Sequence, residues 1–316
     1  MEITGLASYA IFTLTLIGIY SILSLGLNMQ WGYTGMLNIG VGGFFAVGAY
    51  TTAILTTPDS GGVYLGGFGT PFLVGAAGAM VMSGVVAFLI GLITLNLRSD
   101  YLAIATIGIS EIIRLFLKTE DWLTNGVRGI AGIPRPLAGL SEGWDDLFYL
   151  ALVVAFVAVI YFLNERSYVS PWGRVLRAIR EREPATLAAG KNVYSFRIQA
   201  FVIGSMAMGL AGALYAHFVT FISPEAFKPE FATFLIWVML IAGGSGNNRG
   251  ALLGTFVIWV VWSGTEFLTG QLPDDWATRA GALRVLLIGV LLQVILITRP
   301  QGLLPEKPPR GVRPHP

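Results

Sequence analysis

The residues of this chain that could do chemistry are few, and most are spaced wrongly for it. Segment 101–117, YLAIATIGISEIIRLFL, holds Glu111 and Arg114. Three residues apart, they share a helix face and can pair. A charged side chain at the centre of a membrane span costs about 2.5–3.5 kcal/mol on insertion scales, which makes Glu111 a candidate ion-coupling carboxylate. Paired with Arg114 near an interface, it would only tie helices together, and that is the simpler reading. Segment 243–252, GGSGNNRGAL, is a glycine-rich turn. A phosphate loop needs G-x-x-x-x-G-K-[ST] between a strand and a helix, and no lysine stands here. The Gly190-Lys191 pair is followed by Asn192 and has no upstream glycine at the required distance. With 0 cysteines and 2 histidines there is no thiolate nucleophile or disulfide and little to hold a metal. The acidic pairs Asp145-Asp146 and Asp274-Asp275 read as solvated loop charges. The expectation is a protein that is not an enzyme, hydrolyses no nucleotide by itself, and uses no metal or cofactor.

The elements that carry these residues are bilayer-length apolar runs. The chain is 54% hydrophobic and 12% charged, with mean hydropathy +0.70, whereas about a quarter of a soluble domain is charged. A net charge of +2 is too small to imply nucleic acid. The fold class is therefore all-α, a polytopic membrane protein of about nine transmembrane or re-entrant helices. The runs are roughly 8–28, 35–55, 71–97, 101–117, 147–164, 198–220, 231–244, 251–270 and 282–298. MEITGLASYA lacks the basic start of a signal peptide, so the first run is expected to be retained. His217 and Glu266 fall near outer ends of their runs and read as interfacial.

Two stretches depart from plain spans. Loop 165–197 gathers Arg166, Arg174, Arg177, Arg180, Arg182, Lys191 and Arg197. By the positive-inside rule it is cytoplasmic, together with the tail 299–316, and Met1 and loop 118–146 then fall outside. Within the loop, 174–189 reads as an amphipathic helix ended by Gly190, with Pro184 starting a new turn or a kink. On its own such a helix would lie on lipid headgroups or dock in a partner's groove, the headgroups being favoured. The second stretch is GYTGMLNIGVGGFFAVGAY, 32–50. Its glycines, with Thr34 and Asn38, suggest either a broken helix beside a translocation path or close helix packing through Gly40, Gly43 and Gly48. Gly209 and Gly212 in MAMGLAGA, 206–213, read as packing. The proline-rich tail 299–316 offers little to bury and is expected to be disordered.

Set in order, LNIGVGGFFAVGAYTTAIL (37–55), RSDYLAIATIGISEIIRLFLKTEDWLTNGVRGIAGIP (98–134), the stretch 170–227, GGSGNNRGALLG (243–254) and RPQGLLPE (299–306) resemble the LivM-type permease of branched-chain amino acid ABC importers. The resemblance implies an ABC importer transmembrane domain over 1–298 in a bacterial cytoplasmic (inner) membrane, its C-terminus cytoplasmic. It implies three kinds of partner: a homologous second permease, two ATP-binding cassette ATPase subunits, and a periplasmic substrate-binding protein. Loop 165–197 would carry the coupling helix that seats in the ATPase, shifting the preference from headgroups to a partner groove. The residues matching the family's pattern are Glu183, Ala185 and Gly190, with Glu181 nearby; Arg177, Arg180 and Ala188 complete the expected coupling set, and Pro184 and Thr186 depart from the family pattern. A weakly polar path would be lined by Thr34, Asn38, Gly40, Gly42, Gly43 and Glu111. The substrate would be branched-chain or related amino acids, with urea or short amides as alternatives inside the class. An ion-coupled secondary transporter or channel using Glu111 is the alternative outside it.

Overall fold

A computed structural model describes residues 2–58, 62–136, 144–269 and 274–306. The long helices are α1 (Glu2–Leu27), α2 (Val41–Thr56), α3 (Phe72–Thr94), α4 (Ser99–Thr119), α6 (Asp145–Val169), α7 (Pro171–Ala188), α8 (Val193–Val219), α10 (Asn248–Thr269) and α11 (Asp274–Thr298). Two shorter ones are α5 (Asp121–Thr124) and α9 (Leu235–Gly243). A helix stands at each of the nine expected runs, and α5 and α7 are the additional ones. Among the described residues four helical stretches, 7–32, 72–94, 145–169 and 193–219, are both long and apolar enough to cross a bilayer. Strand structure among the described residues is one antiparallel pair, Ile130 opposite Ile222 and Ala131 opposite Phe221. It staples the loop after α4 to the end of α8.

Burial separates the helices into centre and rim. The apolar windows of α1 and α8 are 72% and 67% buried, those of α3 and α6 only 33% and 17%. Phe162, Leu163 and Ile93 project outward, as side chains facing lipid do. Among the central helices, association rests on close backbone approach, because lipid offers apolar side chains no less than a neighbouring helix does. A methyl added at Gly48 of α2 would fall on the backbone of Gly209 in α8, and one at Gly212 on the carbonyl of Phe45. Gly26 of α1 and Gly204 of α8 are matched in the same way, each 2.7 Å from the other's carbonyl at the position a Cβ would take. The packing role expected of 206–213 is therefore observed, with Gly209 also seated on Ser83 and Ala79 of α3.

Candidate coupling helix and helix break

The helix α7 begins on Ser170, whose hydroxyl accepts the Gly173 amide at 3.2 Å, with Pro171 in the first turn where no amide proton is needed. It ends as expected: Gly190 takes φ +74°, and the Ala189 and Gly190 amides close on Ala185 and Leu187. Pro184 can donate no hydrogen bond and its ring crowds the carbonyl four residues back, so the backbone gives way at Arg182 (φ −150°, ψ 85°). The result is two helical pieces joined by a kink.

The pieces have different faces. Leu176 and Ile179 are buried against the body of the protein. The Arg177 guanidinium lies 3.9 Å from the centre of the Tyr168 ring. Arg180 donates to the Gly32 carbonyl and, at 2.7 Å, to Glu306. Glu183 takes both arms of Arg197 on α8, at 2.7 and 3.1 Å. On the other side Glu181, Ala185, Leu187, Ala188 and Gly190 are exposed, and Ala178, Glu181, Ala185 and Ala189 line an open groove of about 600 Å³. Of the seven expected coupling residues, Arg177, Arg180 and Glu183 are engaged inward, while Glu181, Ala185, Ala188 and Gly190 present the free surface.

Opposite Arg180 lies the helix break. The helix α1 passes into a π-helical turn, Asn28–Gly32, and the chain is irregular over 35–40 before α2 begins. Backbone freed at membrane depth must find partners inside the protein, and side chains supply them. Gln30 Nε2 donates to the Phe201 carbonyl at 2.8 Å and to Ser205 at 3.0 Å, and its Oε1 accepts Asn38 Nδ2 at 2.7 Å. Asn38 in turn accepts the Gly40 amide, while its carbonyl accepts the Trp237 indole at 3.0 Å. Asn28 donates to Asn248 at 2.9 Å and accepts the Gly246 amide at 2.7 Å; Tyr33 donates to the same Asn248 oxygen at 2.8 Å. Thr34 donates to the Gln30 carbonyl.

This geometry answers both readings of the glycine-rich stretch. The helix is broken, and the glycines also pack: a Cβ at Gly40 would meet the Thr106 carbonyl at 2.6 Å, one at Gly42 Ala232 at 3.1 Å, and one at Gly43 Ser110 at 3.1 Å. Of the residues expected to line a path, Thr34, Asn38, Gly40, Gly42 and Gly43 are buried within this chain, and Thr34 and Asn38 spend their polar groups on the fold. The neighbouring side chain that reaches open space is Ile39. It borders an apolar cavity of about 420 Å³ walled by Ile107, Phe234, Trp237, Trp262 and Ile288, with Glu230 and Thr233 as its polar members.

Glu111 is not alone on α4. Arg114 donates to both its oxygens, at 2.5 and 2.9 Å, and also reaches Glu225, which is bound by Lys118 at 3.0 Å and Lys228 at 2.6 Å. This cluster holds α4 to the connection between α8 and α9, at the end of the molecule opposite α7. His217, expected at an interface, is fully buried there. Its Nδ1 must donate to the Pro134 carbonyl at 2.6 Å, so the neutral ring accepts from Thr52 at Nε2, 2.9 Å away. The Glu266 side chain lies outside the described residues.

Sequence reading missed Gln30, Asn28, Asn248 and Glu306. The first three carried a signal, amides inside or beside apolar runs. Glu306 closes the stretch RPQGLLPE that carries the family resemblance, but nothing local gave it a partner: it belongs to the tail expected to be disordered, yet 299–306 is docked, with the Leu303 and Leu304 amides bound to Ala242 and Gly243. Residues 307–316 lie outside the described residues.

Apolar helices with a small-residue core, a satisfied break and a kinked polar helix at one end define an all-α polytopic membrane permease. The profile of the family described as the permease component of branched-chain amino acid transport systems matches residues 9–296, and the chain belongs to that family. The high-affinity branched-chain amino acid transport system permease protein LivM of Escherichia coli is 34% identical over 320 residues, 94% of this chain and 70% of that protein. The probable branched-chain amino acid transport permease protein LivM of Methanocaldococcus jannaschii is 30% identical over 334 residues, 92% of each chain. LivH, a permease protein of the same kind of system in Salmonella typhimurium, is 24% identical over 310 residues, again 92% of each. No solved structure matches the chain.

Proposed function

We propose that this permease subunit of an ABC importer carries branched-chain amino acids across a bacterial inner membrane, sharing its path with a second, homologous permease. The similarity to both LivM and LivH proteins supports a heterodimer. Two ATPase subunits bind at the α7 end, which is cytoplasmic along with the C-terminus, and a periplasmic binding protein docks at the opposite end. The transmembrane domain is 1–298, and the tail that follows it is anchored by 299–306.

The observation that carries the coupling role is the division of α7 into two faces. Ala185, Ala188 and Gly190, with Glu181 beside them, form a surface that a groove in an ATPase can receive. Arg177, Arg180 and Glu183 hold the same helix to Tyr168, to the helix break and to α8. A helix held on one side and gripped on the other transmits rigid-body motion, and closure of the ATPases would swing the spans between two access states. Thr34, Asn38, Gly40, Gly42 and Gly43 shape the wall behind the path, and the apolar cavity beside Ile39 suits passage of an aliphatic side chain.

The test is uptake of radiolabelled leucine into proteoliposomes holding this chain, its co-purified permease and ATPases, and the binding protein. Accumulation that needs both ATP and binding protein is the expected result. Accumulation by this chain alone, driven by an ion gradient, would contradict the proposal and return attention to Glu111; uptake of urea or an amide in place of leucine would correct the substrate.

A further inference from the structure

Residues 299–306 do more than end the chain. A helix C-terminus leaves its last carbonyls without partners, and those of α9 are met from this segment: Leu303 donates to Ala242 and Leu304 to Gly243, both at 2.9 Å. Asn247 donates back to the carbonyls of Leu304 at 3.3 Å and Pro305 at 3.1 Å. The fit is close at Gly302, which has φ +81° and whose Cβ would stand 2.5 Å from the Gly244 Cα. So placed, the segment delivers Glu306 to Arg180 at 2.7 Å and to the Tyr168 hydroxyl at 2.8 Å. The same guanidinium donates to the Gly32 carbonyl, left over where the π-helical turn gives way to irregular chain. The Arg180 stem also covers Gly35, where a Cβ would meet its Cγ at 3.2 Å, and Gly246 leaves no room for a side chain between Arg180 and Glu306. One side chain of α7 thus touches the helix break, the turn after α9 and the C-terminal segment.

We infer that 299–306 is an internal strap and that Arg180, held by Glu306, is the positioning residue through which movement of α7 reaches the helix break. This rests on the coupling role proposed above. Arg180 therefore faces the permease's own interior and acts behind the ATPase contact. It stands two residues before the kink at Arg182, so motion of the exposed second piece of α7 is passed to Gly32 only while Glu306 keeps the guanidinium aimed.

The experiment measures leucine imported per ATP hydrolysed, with the assembled complex in proteoliposomes. Glu306→Ala and Arg180→Ala should each lower that ratio about tenfold, as expected for loss of a charge-assisted hydrogen bond. The double variant should be no worse than Arg180→Ala, since the two act as a unit, and Arg180→Lys should recover part of the loss. Glu306→Ala should leave assembly and basal ATP hydrolysis intact. Ratios at the wild-type value, losses that multiply in the double variant, or assembly and both activities falling together would overturn the strap. A wild-type complex that does not couple uptake to ATP would instead overturn the functional reading beneath it.

Discussion

The two ends of this molecule are both polar, and they are built differently. At the α7 end, beside the ion pairs Arg180–Glu306 and Arg197–Glu183, neutral amides and the Arg180 guanidinium bind backbone groups of the helix break, α8, the turn after α9 and the C-terminal segment, and Asn28, Gln30 and Asn38 are fully buried. At the opposite end, charged side chains bind one another across α4 and the α8–α9 connection, with Glu225, Lys118 and Lys228 between 36% and 45% exposed. A buried donor or acceptor that loses its partner bears the full cost of desolvation. An exposed ion pair is screened by water and salt and holds little. The first end should be sensitive to single substitutions and able to transmit force, and the second should tolerate change.

The largest effect should come from Gln30→Leu, which strips partners from Asn38 Nδ2, Ser205 and the Phe201 carbonyl. At about 1–3 kcal/mol for each group stranded, the variant should lose most of its folded yield. Fluorescence-detected size exclusion in detergent would show this, and a monodisperse peak at wild-type height would remove the structural role assigned to the break. Next is Gly302→Val, which places a side chain into Gly244 at a positive-φ position and should undock the strap. The expected outcome is a coupling ratio lowered as in Glu306→Ala, with cleavage after Glu306 by a glutamate-specific protease as the independent readout.

Smaller is Glu111→Gln. An ABC permease should keep most of its uptake, because the pair with Arg114 ties elements together at the far end, whereas an ion-coupled carrier should lose coupled transport. Smallest are Lys118→Ala and Lys228→Ala, expected within about 0.5 kcal/mol of wild type and indistinguishable from it in high salt. Their pH dependence has a definite sign. Hydrogen bonds from Lys228 and Lys118 hold the Glu225 carboxyl at about 2, below its ordinary 4.5. A depressed carboxyl adds stability above its unfolded value and loses it as pH falls through the folded one. The difference between wild-type and Lys118→Ala melts should therefore be constant from pH 5 to 8 and close as pH falls from about 4.5 towards about 2.

The sequence was most legible where one local rule sufficed. Apolar length marked each run, Ser170, Pro171 and Gly190 bounded α7, Pro184 foretold its kink, and the polar and glycine residues of 32–50 marked the break. It was least legible where the partner lies far along the chain. Nothing in 299–306 announces that its amides will meet the end of α9, because capping by a distant segment leaves no periodicity. Thr34 and Asn38 suggested a lined path for the same reason: an amide in an apolar run shows that it must be satisfied, but not whether a solute or a neighbouring helix satisfies it. Arg180 and Ala185, five residues apart, stand about 140° apart around a helix of 3.6 residues per turn, so two faces were legible in the sequence, but not which of them the permease would bury.

The most direct test of the two-faced α7 uses a chain with 0 cysteines. Single cysteines at Ala185, Ala188 and, as the opposite-end control, Lys118 would be cross-linked in native membranes with a short bifunctional reagent and the products identified by mass spectrometry. Cross-links from Ala185→Cys and Ala188→Cys to an ATPase subunit, and none to it from Lys118→Cys, are the predicted result. If α7 instead cross-links only to lipid-associated or unrelated proteins while the permease remains active, the coupling surface assigned here is contradicted.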